Sequence, residues 1–214
     1  MTFSRALAIA ALSSSLIVPA VALAGKAAAT TATEPTIVLT GITQFDGVFG
    51  QAKDIQDKVN GQTTTLKTAR SNVNTAIGVA TDAPFATALA DLSTKADKKI
   101  TVAMNGTMPK LSPDAACPDN VKAAVESVNG LIDAGKSTVE AAVGLKKDAE
   151  QLVAAASAFP GQLPSLVSNP MDVMKKSKVL GDDIKGLGAL PKRIDDMVAE
   201  VTGLVSDIQK AFGG

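Results

Sequence analysis

The sequence predicts an all-α protein, an elongated antiparallel bundle of four long, coiled-coil-like helices in up-down-up-down order behind an N-terminal signal peptide. Apolar residues recur every seven positions in three long segments, and no segment alternates apolar and polar residues as a half-buried strand does. Prolines, glycines and asparagines cluster between these segments, where turns are expected. Residues 36–214 are therefore predicted to form a single helical-bundle domain.

Residues 1–24 are predicted to form a cleaved signal peptide. Arg5 supplies a positive charge, the segment from Ala6 to Val21 is almost wholly apolar, and Ala22-Leu23-Ala24 matches a small-residue cleavage site. The alternative is an uncleaved membrane anchor, because about 19 apolar residues nearly span a bilayer. Pro19 and three serines favour cleavage. The expected location is extracytoplasmic, in the periplasm or the external medium.

The first helix is expected to follow a flexible leader of small and polar residues at positions 25–35. Its apolar row has a spacing of seven, which is typical of a bundle helix. Five glycines weaken the helix, each by about 1 kcal/mol relative to alanine, without interrupting the row. The members of the row are Val38, Phe45, Ala52, Val59, Leu66, Val73 and Ala80.

The second helix is predicted to open at Asp82 and Pro84 and to run to Asn105-Gly106. The segment 107–118 contains three prolines and is predicted to be a loop. This loop has the length to return the chain to the base of the bundle, so that the third helix would run parallel to the first.

The third and fourth helices carry the most regular rows. Pro118 to Asn120 opens the third helix, a turn around Pro160-Gly161 and Pro164 follows it, and Asn169 caps the fourth. The row of the third helix consists of Val121, Val128, Gly135, Ala142, Ala149 and Ala156. The row of the fourth consists of Val173, Leu180, Leu187, Ile194, Val201 and Ile208.

Pro191 lies inside the fourth helix, where a proline removes a backbone hydrogen bond and crowds the preceding turn. The seven-residue row keeps its phase across this position, which predicts one kinked helix rather than two helices. Gly186 and Gly188 leave room for the bend. These three residues are the candidate hinge, with a passive structural bend as the alternative.

The predicted layout assigns the phenylalanines to the two ends of the bundle. It places Phe85 with Phe159 at one end, and Phe45, Phe49 and Phe212 at the other.

Composition excludes several classes of function. Lys plus Arg and Asp plus Glu both number 21, so no basic excess attracts nucleic acid. The chain has no His, Trp or Tyr, which removes the commonest general base, the commonest metal ligand and most base-stacking side chains. No nucleotide-binding, haem or metal motif occurs in the sequence. We therefore expect no enzymatic activity, no cofactor and no metal.

Three features remain as candidate sites. Cys117 is a lone thiol beside a helix start, and it is either an intermolecular disulfide partner or an incidental free thiol. The pairs Asp182-Asp183 and Asp195-Asp196 are interpreted as solvated ion-pair residues, because adjacent helical side chains diverge. Five methionines are expected in the core, with an adaptable ligand groove as the alternative: Met171, Met174 and Met197 in the fourth helix, and Met104 and Met108 beside the long loop.

These observations favour a non-enzymatic exported protein that acts by protein–protein contact, self-association or scaffolding. The alternative is a carrier for a lipid or another apolar ligand, or a bundle that binds a membrane surface. Abundant glycine and alanine support the alternative, because they lower the packing stability of helices.

Overall fold

The computed structural model describes residues 36–213, which are mainly helical and contain one two-stranded β-hairpin. The predicted signal peptide and leader lie outside these residues. The elements in chain order are α1 (Thr43–Ile77), α2 (Phe85–Ala96), β1 (Ile100–Asn105), β2 (Met108–Pro113), α3 (Asp119–Ala156), α4 (Phe159–Leu166) and α5 (Pro170–Phe212).

Helices α1, α3 and α5 are the long elements, about 52, 57 and 64 Å at 1.5 Å per residue. Helix α3 runs antiparallel to α1, since Phe45 stacks on Phe159 near one end and Thr138 donates a hydrogen bond to Gln62 farther along. It is also antiparallel to α5, since Gly135 packs against Val201 whereas Lys146, later in α3, bonds to Asp195, earlier in α5. The three helices therefore run up, down and up.

The seven-residue rows form the core, as predicted. Within the helical parts of the rows, every member is buried except Val173, which is half-buried. The first row begins and ends outside α1: Val38 is exposed in an extended segment, and Ala80 follows the helix. Gly41 and Gly78 set these limits with left-handed backbone angles, φ 71° and 86°, that side chains rarely adopt.

The second helix is shorter than predicted, because α2 stops at Ala96. Asp97 and Lys98 both adopt positive φ, 47° and 60°, and this pair of left-handed residues redirects the chain into β1. The predicted loop is a β-hairpin, with Gly106 at φ 65° in the two-residue turn. The all-α prediction and the absence of strands were therefore wrong in this segment.

The hairpin also explains why the predicted up-down-up-down layout is not the one found. It keeps the chain at the end where α1 finishes, so α3 starts there and runs antiparallel to α1. Phe159 consequently packs on Phe45 and Phe49, with ring centroids 4.2 and 5.8 Å apart. The predicted grouping of Phe85 with Phe159 was wrong. The predicted grouping of Phe212 with Phe45 and Phe49 was also wrong, because Phe212 lies beside Ala96 and Ile100 at the opposite end.

Two further boundaries concern α4 and α5. The residues predicted as a turn around Pro164 form the short helix α4. Helix α5 is continuous from Pro170 to Phe212 with Pro191 inside it, as predicted, and Ile194 beyond the proline is buried. The Asn169 side chain accepts a hydrogen bond from the N–H of Met171 at 3.0 Å and caps the helix.

Candidate interaction surfaces

The acidic pairs divide into exposed and buried members. Asp195 and Asp196 are exposed and pair with Lys146 and Lys192 at 2.7 and 2.6 Å, as predicted for surface ion pairs. Asp183 differs, because its side chain is 1% exposed. The prediction that it is a solvated residue was wrong. The sequence did contain a signal for the burial of Asp183, because it lies three residues after Leu180 and therefore on the inner face of α5.

Asp183 holds the N-terminal segment against α5. Its Oδ1 accepts the N–H of Val38 at 2.7 Å, whereas its buried Oδ2 has no partner among the described residues. Burial raises the pKa of this carboxyl above its ordinary 3.8; the Val38 N–H opposes the rise, and Asp182 and Asp46 add to it. Charge at this position is therefore disfavoured by its surroundings.

Thr40 gives the same segment a second attachment. The Lys176 ammonium donates to the Thr40 carbonyl at 2.7 Å, and the Thr40 N–H and hydroxyl both donate to Asp46 Oδ1, at 2.7 and 2.8 Å. Residues 36–40 are thus bonded to both α5 and the first turn of α1.

The outer edge of β2 is closed to further strand pairing. Asn129 of α3 accepts from the Leu111 N–H at 3.0 Å and donates to the Leu111 carbonyl at 2.9 Å, as a neighbouring strand would. Both Leu111 groups therefore point away from β1. Pro109 and Pro113 share this orientation, two residues to either side, and proline has no N–H to offer.

The outer edge of β1 is open. The register pairs Leu111 with Val102, so Val102 also directs its N–H and carbonyl away from the hairpin. Ile100 and Met104, two residues to either side, have the same orientation. No hydrogen bond to the backbone of these three residues occurs within residues 36–213. Six backbone groups on this edge thus have no hydrogen-bond partner within the described residues; Met104 is exposed, Val102 is half-buried and Ile100 is 7% exposed.

Cys117 and the candidate hinge have the following surroundings. The Cys117 side chain is 3% exposed and its thiol lies 3.4 Å from the Lys99 carbonyl oxygen, so a disulfide to another chain requires this region to open.

In the candidate hinge, Gly186 is buried and Gly188 is exposed, both in the helical turn before Pro191. A Cβ on Gly188 would meet nothing within 4 Å. Hinge motion remains a prediction.

Comparison with protein-family models, with curated proteins and with solved structures finds no match. The function of the chain is therefore argued from its own surfaces.

A second surface of interest lies close to the N-terminal end of α5. Met171 and Met174, predicted in the core, are 66% and 76% exposed there. They occupy the outer face of α5, because the buried residues of that helix follow from Leu180 on the opposite side. Of the eight exposed large apolar residues in positions 36–213, six lie in this region, namely Val38, Leu39, Leu166, Met171, Met174 and Val179.

Within residues 36–213, the space between α3 and α5 is small and no cluster of metal ligands occurs. The cavity between α3 and α5, lined by Leu131, Gly135 and Val201 among others, has a volume of about 10 Å³. Across residues 36–213, no three His, Cys, Asp or Glu side chains are grouped so that they could hold a metal ion. No helix in this range is both long and apolar enough to cross a bilayer.

Proposed function

We propose that this chain is a non-enzymatic, exported protein that binds other protein chains through strand addition at the outer edge of β1. The observation that carries the proposal is the contrast between the two edges of the hairpin. An open edge offers a row of donors and acceptors to any extended segment, and strand addition is a recurring mode of protein recognition. The closed edge directs such pairing to β1.

The composition of the strands supports this proposal. Exposed edges that avoid pairing usually carry proline or lysine, and β2 has Pro109, Lys110 and Pro113. Strand β1 contains neither residue type, and its first three residues, Ile100, Thr101 and Val102, are β-branched. Such residues favour the extended conformation that a paired strand requires.

Binding of a membrane surface is the second candidate function, supported by the exposed apolar residues near the start of α5. Met171 and Met174 lie beside Lys175 and Lys178, which are also exposed. Apolar side chains flanked by lysine fit an anionic bilayer surface. A carrier that encloses its ligand has less support, because a space of about 10 Å³ between α3 and α5 cannot hold a lipid chain.

Site-specific cross-linking in the producing cells tests strand addition. A photo-reactive amino acid in place of Ala103, on the exposed face of β1, should give protein adducts. The same group in place of Lys110, its partner across the hairpin, should give fewer. Val102→Pro should abolish the Ala103 adducts, because it removes an outward N–H without breaking a β1–β2 bond.

Val102→Thr is the matched control, since it keeps both the N–H and the β-branched shape. Equal adducts at both positions, or adducts that survive Val102→Pro, would contradict strand addition. Co-sedimentation with anionic vesicles addresses the second candidate: binding reduced by Met174→Ser but unaffected by Val102→Pro would support the membrane function instead.

A further inference from the structure

The open edge of β1 is complementary to itself. Ile100, Val102 and Met104 each present one outward donor and one outward acceptor. We propose that the strand added at this edge is β1 of a second copy, antiparallel and related by a two-fold axis at Val102. The inference rests on the proposed function and names its partner.

The two-fold arrangement uses every open group. Val102 pairs with Val102 of the other copy, and Ile100 pairs with Met104 in both directions, so six hydrogen bonds form between the chains. The result is a four-stranded antiparallel sheet with β2 at each outer edge. Both outer edges are then the closed ones, so pairing stops at two copies.

Side chains across the axis are compatible with this register. Thr101 of one copy lies opposite Ala103 of the other, and both residues are on the exposed face. Strand β1 has no charged residue, so no like charges meet across the axis. The formal net charge of zero adds no long-range repulsion between copies.

A groove beside the start of β1 provides a place for the partner's Met104. It has a volume of about 440 Å³, and its lining combines apolar residues with polar ones: Ala96, Ile100, Ala211 and Phe212 on the one hand, and Ser93, Lys98 and Lys210 on the other. Met104 is 53% exposed in the single chain. In the proposed register it lies opposite Ile100 of the other copy, with its side chain on the same face of the sheet. Dimer formation would therefore bury two exposed methionines in two equivalent grooves.

Two double variants of the full chain provide the test, and they differ at one residue. Both carry Ala103→Glu, which faces Lys110 of its own hairpin and should preserve it. With Thr101→Lys, lysine and glutamate meet across the axis twice; with Thr101→Glu, two pairs of glutamates meet instead. We expect the dimer dissociation constant of the second variant to exceed that of the first by about tenfold or more.

Sedimentation velocity over a range of concentrations measures these constants. The wild-type chain should form a dimer, and Val102→Pro should weaken it while Val102→Thr does not. A wild-type chain that stays monomeric, or equal dissociation constants for the two double variants, would overturn self-pairing. Adducts at Ala103 with a different protein, together with a monomeric chain, would reject this inference but retain strand addition. A monomeric chain that gives no protein adducts at Ala103 would reject both self-pairing and strand addition.

Discussion

At the scale of single residues, Asp183 connects burial, charge and the position of the N-terminal segment. Its carboxyl holds the Val38 N–H, yet the second oxygen is buried without a partner among the described residues. Ionised oxygen in such a place loses hydration that nothing replaces. The site therefore combines a stabilising hydrogen bond with a destabilising charge. The pH determines how much of that charge is present and how far it destabilises the fold.

The sign of the pH dependence follows from the raised pKa of Asp183. The folded chain holds this proton more tightly than the unfolded chain, whose carboxyl has the ordinary pKa of 3.8. The stabilising effect of protonation is thus absent at neutral pH. It grows as the pH falls through the folded-state pKa, and it is complete below 3.8.

Asp183→Asn tests this directly, because an amide oxygen can still accept the Val38 N–H but carries no charge. We expect the free energy of unfolding of the wild type, relative to the variant, to rise as the pH is lowered from 7 to 4. Urea denaturation at several pH values measures the difference. Asp148→Asn, at an exposed position of α3 that does not contribute to the pKa shift of Asp183, is the control. A relative loss of wild-type stability on acidification would contradict the assignment.

At the scale of elements, α3 and α5 pack closely at Gly135. A Cβ on this residue would lie 3.0 Å from a methyl group of Val201, so the small residue sets how closely the two helices approach. Gly144, two and a half turns later in α3, is exposed and a Cβ there would meet nothing within 4 Å. Substitutions at these two glycines therefore distinguish the effect of helix packing on stability from the effect of helix propensity.

Alanine at each of these positions should have a different effect. Gly144→Ala should raise the free energy of unfolding by about 0.5–1 kcal/mol, since alanine favours the helix. Gly135→Ala has the same gain but must displace Val201, so it should be less stable than Gly144→Ala by about 1–3 kcal/mol. Thermal or urea denaturation compares the two variants. Equal stabilities would show that the α3–α5 contact adjusts without cost.

The elements that could be predicted from sequence are those determined by residues close together in the chain. The rows that begin at Val121 and Val173 encode burial locally, so the helices and their inner faces could be predicted from periodicity. The hairpin was missed because Pro109 and Pro113 indicate a loop, whereas the structure places them where no N–H is needed. Gly106-Thr107 was the signal for that turn, because a glycine at the first of two central positions is typical of a two-residue hairpin turn.

At the scale of the whole molecule, the direction of α3 is the feature that sequence patterns could not give. It depends on whether residues 97–118 cross the bundle or turn back, and the left-handed residues Asp97 and Lys98 decide this. Likewise, the open edge of β1 becomes visible only when Asn129 of α3 is seen to occupy the edge of β2. Both are contacts between residues far apart in sequence.

Export is a prediction for the whole chain, and it concerns residues outside the described range. N-terminal sequencing of the protein recovered from the periplasm or the medium should begin at Gly25 or within a few residues of it. The physical reason is the small-residue site at Ala22-Leu23-Ala24 after an apolar segment. Recovery of a protein that retains Met1 to Ala24 would instead favour the anchor.

The attachment of residues 36–40 has a mechanical consequence. Any tension applied through the chain before residue 36 reaches the buried side chain of Ile37 and the Val38–Asp183 bond first, and the bonds of Thr40 next, before it loads α1. Bonds that break one after another resist a smaller peak force than bonds that carry the load at the same time. Once they yield, the seven residues from 36 to 42 can be drawn out to a total length of at most about 24 Å. The segment would then act as a short extensible tether that protects the helices from the load.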